Sequence, residues 1–144
     1  MAVSIAAISI LSVWQVYNFF IRISISNPPL FQSSFLAEEG IEAVKFMRDS
    51  GWSKNINALT ADVPYTLVFD GNSWTTTTSA NYIDGRFDRR VSVSDVYRDT
   101  FGNITETGSF DPDTKKVLVV VSWQKDTSTT TKEITTYVSN IFKN

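Results

Sequence analysis

Histidine and cysteine are both missing from the 144 residues. Their absence excludes Ser-His-Asp and Cys-His nucleophile systems, CxxC redox pairs, Cys/His zinc sites and structural disulfides. It also removes the side chain that titrates nearest neutral pH. No basic surplus exists: 13 Lys and Arg face 15 Asp and Glu, for a net charge of −2. A dedicated nucleic-acid binder carries a strong basic excess, so that class is disfavoured. Charge is missing altogether from residues 1–21, so all 28 charged side chains (13 plus 15) fall after Ile21.

That uncharged segment reads MAVSIAAISILSVWQVYNFFI. As a helix, 21 residues span roughly 31 Å, the thickness of a bilayer's hydrocarbon core. Apolar residues occur all round such a helix, so it must be buried in lipid or in a multi-chain core. Trp14 and Tyr17 precede Arg22, the order expected at a membrane boundary. A cleaved signal peptide needs a basic start and a small-residue cleavage site, and neither is present. Ala2, Ala6 and Ser9 share a helical face, and small residues there let helices approach closely. Together with Leu11, Val13, Val16 and Phe20 they form the candidate assembly surface of a hydrophobic helix over residues 1–26. A plain one-pass anchor with incidental Ser and Ala is the alternative.

Asn27-Pro28-Pro29 predicts a kink or break, since proline removes a donor and clashes with the preceding turn. A globular domain over 27–144 follows, with a second helix at 31–49. Leu36, Gly40, Ala43 and Met47, joined by Ile41 and Val44, make a stripe fit to lie on a sheet. Acids lead and bases trail along this helix, which suits its dipole and permits a Glu42–Lys45 pair. Glu38 and Glu42 share a face and read as solvated. All 16 threonines lie beyond residue 59, where strand signals take over. Strands are predicted at Val63–Phe69, Ser73–Thr77, Phe87–Tyr97, Lys116–Trp123 and Glu133–Phe142. Phe87, Val91, Val93 and Tyr97 are expected on one buried face, and VLVVV is expected to be apolar on both. Short turns imply an antiparallel sheet over 63–142, with 125–132 a polar loop. The fold class is α+β, helix first and sheet after.

Three constellations could carry chemistry. Asp111-Pro112-Asp113 reads as a β-turn, and with Asp95, Asp99 and Asn103 it offers oxygens to a calcium ion, though the spacing is not that of an EF-hand. Asp111 and Asp113 are the weak metal candidates; no other cofactor is expected. Arg86, Arg89, Arg90 and Arg98 lie near aromatics, as in single-strand binders. Asp84, Asp88, Asp95 and Asp99 neutralise the same stretch, which favours cross-strand ion pairs over nucleic acid. Asn103-Ile104-Thr105 matches a glycosylation acceptor. No carboxylate pair stands out for catalysis, so no enzyme is expected.

The layout, with the stretches FLAEEGIEAVKFMRDSGW (Phe35–Trp52), DGRFDRRVSVSDVYRD (Asp84–Asp99) and TKKVLVVVSW (Thr114–Trp123), resembles the type IV pilins and type II secretion pseudopilins, in their minor-pilin form. Family precursors carry a basic leader ending in Gly, then an aromatic residue and a Glu soon after. Residue 5 here is Ile, and no acid precedes Glu38. The expectation is a chain that starts inside the mature protein. The resemblance implies a filament subunit whose partners are copies of itself or other pilins, the inner membrane before assembly, and the pilus or secretion machinery. It implies a place in the inner membrane and then in a cell-surface or extracellular filament. The alternative is a monomeric, single-pass membrane-anchored binding or adhesion domain.

Overall fold

A computed structural model describes residues 10–21, 28–125 and 127–143. The chain is α+β, with helices first and one antiparallel sheet after them. It divides into two compact units, Met1–Gln32 and Ser33–Asn144. Helix α1 covers residues 10–21 of the first. Among the described residues no helix is long and apolar enough to cross a membrane. The long apolar helix expected over 1–26 is therefore seen only as α1, its remainder lying outside the described residues.

Helix α2 runs from Pro28 to Ser50, and α3 is a single turn, Trp52–Asn55. Pro28 and Pro29 open α2. The first helical turn needs no amide donors, and proline's fixed φ already suits it. The helix thus begins three residues earlier than the 31–49 expected. The predicted kink falls against residues 22–27, outside the described residues. Ala37, Gly40, Ile41, Ala43, Val44 and Met47 are buried at helical spacing. Ser50 Oγ closes the last turn on the Phe46 carbonyl at 2.9 Å, and the Gly51 N–H bonds the Arg48 carbonyl.

The strands are β1 (Tyr65–Phe69), β2 (Trp74–Thr77), β3 (Tyr82–Ile83), β4 (Phe87–Arg98), β5 (Ile104–Thr105), β6 (Ser109–Lys125) and β7 (Ser128–Ser139). Their order is β2-β1-β4-β6-β7, with β3 and β5 paired to the two ends of β4. The first strand begins at Tyr65 and not Val63, because Pro64 has no N–H for the ladder. Asp84 and Gly85 both have positive φ, and the Arg86 N–H bonds the Ile83 carbonyl, which makes the tight turn between β3 and β4.

Two sequence expectations fail for one reason each. Within the expected loop 125–132, Lys125 and Ser128–Lys132 are strand: Thr129, Thr130 and Thr131 pair with Gln124, Trp123 and Ser122. The strand preference of β-branched threonine outweighs its polarity there. Ser109–Thr114 is not a free turn either but the start of β6. Asp95 faces Lys115 while the next residue, Val96, faces Asp111, so Pro112, Asp113 and Thr114 bulge out of the β4–β6 ladder. A proline inside a strand marks such a bulge. Beyond it the alternation reverses, so Val96 is buried and Tyr97, expected inside, is exposed.

The core lies between α2 and one face of the sheet. Phe87, Arg89, Val91 and Val93 of β4 sit beside Trp123, Val121, Val119 and Val117 of β6. Leu118 and Val120, on the opposite face, are only half-buried, so VLVVV is not apolar on two equally covered faces. Gly40 lets the helix settle onto the sheet: a Cβ there would come within 2.8 Å of a Val119 methyl.

Candidate assembly surface

Helix α1 has apolar side chains and few polar ones to offset them. Ile10, Leu11, Val13, Trp14, Val16, Tyr17, Phe19 and Phe20 are each more than half exposed. At 100° per residue, residues 10, 11, 13, 14, 16 and 17 leave open only a sector of about 140°, and Phe19 points into its middle beside Ser12 and Gln15. Of the predicted assembly residues, Leu11, Val13, Val16 and Phe20 therefore stand uncovered, 54–69% exposed. Ala2, Ala6 and Ser9 lie outside the described residues. Asn18 turns its side-chain amide back to the Trp14 carbonyl at 2.8 Å, hiding one of the few polar groups. An exposed apolar helix of this kind is stable only when another apolar surface covers it.

The acids proposed for calcium are committed to other partners. Asp111 accepts from Arg98 Nε at 2.6 Å and from the Asp113 N–H at 3.0 Å. The Arg98 hydrogen bond holds the Asp111 carboxyl below its ordinary pKa, despite some burial. Asp113 accepts from the Asn140 amide at 3.0 Å. Asp95 pairs with Lys115 Nζ at 2.5 Å. Asp99 gathers the side chain and N–H of Asn103 and the N–H of Phe101, and these bonds lower its pKa. Among the described residues no three acids are grouped to hold a metal. Asn103 spends its side-chain amide on Asp99, inside the turn that carries the acceptor motif.

The arginines form ion pairs, but mostly with partners other than those expected. Arg90 bonds Asp88 two residues back, at 2.9 Å. Arg98 reaches across to Asp111 and also donates to the Gly102 carbonyl, tying the bulge to the following turn. Arg86 lies over the Phe87 ring. Arg89 is buried and crosses to α2, donating to Glu39 Oε2 at 2.7 Å and to the Leu36 carbonyl at 3.1 Å. Glu42 and Lys45 pair at 2.7 Å as the spacing predicts.

One groove was not foreseen. Ser94, Tyr97, Ile104, Glu106, Lys116 and Tyr137 line a cleft of about 420 Å³ on the sheet face away from α2. The signal for it was Pro112: the bulge that proline marks turns Tyr97 outward to form one wall. No protein-family model, no curated protein and no solved structure matches the chain.

Proposed function

We propose that this chain is a structural subunit of a type IV pilus-like or pseudopilus filament, assembled through its apolar N-terminal helix. The observation that carries this reading is α1, whose large apolar side chains are uncovered on every side. Lipid would cover them before assembly, and a bundle of like helices would cover them in the filament core. Moving between two apolar surroundings avoids hydrating that surface, at about 25 cal/mol per Å². Each helix meets several neighbours in a non-closing array, so weak contacts sum along it. The resemblance of Phe35–Trp52, Asp84–Asp99 and Thr114–Trp123 to pilins supports the same reading. The helix-then-sheet order fits a pilin-like subunit, with the sheet domain on the filament's outer surface.

Electron microscopy of the native chain should show thin fibres, and a chain lacking residues 1–26 should remain soluble and form none. Fibres from the shortened chain would overturn a helix-driven core. The groove beside Tyr97 and Tyr137 favours a second reading, a monomeric membrane-anchored domain that binds a ligand there. That reading requires single particles, with α1 covered by lipid alone.

A further inference from the structure

Strand β7 ends the sheet, and no described strand pairs with its far side. Its backbone phase follows from one bond. The Asn140 N–H donates to the Asp113 carbonyl directly opposite it, and the β6–β7 register is unbroken from Thr114↔Ser139 to Lys125↔Ser128. Hydrogen-bonded and non-bonded pairs alternate in an antiparallel ladder. Even-numbered residues of β7 therefore bond to β6. The N–H and C=O groups of Thr129, Thr131, Glu133, Thr135 and Tyr137 point outward. Their side chains are exposed as well, while Ile134, between them, lies half-buried against the core. The edge has no proline and no bulge to blunt it.

We infer that β7 is a docking edge for β7 of a second copy, joined antiparallel across a two-fold axis at Ile134. The strand's own sequence selects that register. Outward backbone groups meet only when odd residues face odd residues, which leaves a few centres near the middle of the strand. A centre at Lys132 sets two lysines opposite one another, and a centre at Glu133 sets two glutamates. Like charges directly opposite are destabilising. A centre at Thr135 shortens the overlap and leaves Ile134 against a threonine. Centred on Ile134, the pairs become Glu133 with Thr135, Lys132 with Thr136, and Thr131 with Tyr137. Every flanking pair sets a threonine against its partner, with no charge repelled, and the two Ile134 side chains cover each other. About eight backbone hydrogen bonds result, two for each odd–odd pair.

A two-fold contact closes on itself and cannot propagate along a helical filament. It is a contact additional to the α1 packing, and it depends on the sheet alone. The absence of native cysteine makes single-cysteine cross-linking unambiguous. Residues across a two-fold at a non-bonded pair lie with Cα atoms roughly 4.5 Å apart, within disulfide reach. The full chain in mild detergent, bearing Ile134→Cys and mildly oxidised, should form covalent dimers. Single cysteines at 132, 133, 135 and 136 should give about tenfold less, because a disulfide tolerates little added separation. The double variant Lys132→Cys/Thr136→Cys, which keeps Ile134, should dimerise where each single change does not. Thr135→Pro removes an outward N–H that β6 does not use, so it should abolish the Ile134→Cys cross-link and preserve the far-ultraviolet circular dichroism. A yield that peaks at 132, 133 or 135, a flat yield, or a cross-link that survives Thr135→Pro would overturn the pairing. Fibres can form or fail independently of these yields, so the filament reading is tested separately.

Discussion

Arg89 offers the sharpest quantitative test of how helix and sheet are joined. Its side chain is 5% exposed, on the core face of β4 between Phe87 and Val91. The guanidinium bonds Glu39 and the Leu36 carbonyl of α2 and lies 5.5 Å from the Trp74 ring centroid. Its Nε–H has no partner. Glu39 is half exposed, so water screens its side of the pair. Removing one partner of a fully buried pair costs about 3–5 kcal/mol, and exposed pairs are worth about 0–1. Glu39→Ala, between these limits, should cost about 1–2 kcal/mol. Arg89→Ala also loses the packed stem and should cost about 3 kcal/mol. Arg89→Met keeps the stem and discards the buried charge with its unbonded donor, so it should cost less than about 1 kcal/mol. In an Arg89→Met background, Glu39→Ala should then be nearly silent, a coupling of about 1–2 kcal/mol. Urea unfolding of the wild type and the four variants in mild detergent, followed by tryptophan fluorescence, measures each term. Additive losses, or Arg89→Met as costly as Arg89→Ala, would refute this account.

Gly40→Ala should destabilise by about 1–2 kcal/mol despite alanine's better helix propensity, because its methyl meets Val119 at 2.8 Å. In a Val119→Ala background the same change should cost less, as thermal melts would show. Asp111 has a folded pKa below its ordinary 3.8, so its contribution is complete above that value and fades as pH falls through it. Urea midpoints from pH 7 to 3 should fall more steeply for the wild type than for Asp111→Asn across that acid window. Val13→Glu and Val16→Glu each place a carboxylate on the exposed apolar surface of α1 and should abolish fibres while the sheet keeps its melting temperature.

Much of the fold was legible where local pattern and tertiary demand agree. The stripe from Gly40 to Met47 lies on the sheet, and Val117, Val119 and Val121 face it. The errors fall where a local signal has two physical outcomes. Proline suits both a helix start and a helix break: Pro28-Pro29 opens α2 three residues before the expected boundary, while the expected break lies against residues 22–27, outside the described residues. A polar threonine run suits a loop or an edge strand, and the ladder to Gln124, Trp123 and Ser122 decided for the strand. Arg89 lies on the core side of β4, between Phe87 and Val91, at the position the expected buried face left out. The compensating partner, Glu39, is 50 residues distant in sequence, and no short window contains both.

The same distinction explains what could be read of function. An apolar, charge-free segment is a property of composition, so the demand that α1 be covered follows from the sequence alone. What covers it depends on other molecules, which composition does not name. The groove and the β7 edge are of the opposite kind. Each depends on phase: one bulge at Pro112 turns Tyr97 outward, and one bond from Asn140 decides which half of β7's backbone faces away from the sheet. A one-residue change of register would exchange the two faces of either strand while leaving the residue pattern untouched. For that reason the cross-linking scan along β7 is the stricter test, since it reads a phase that composition leaves open.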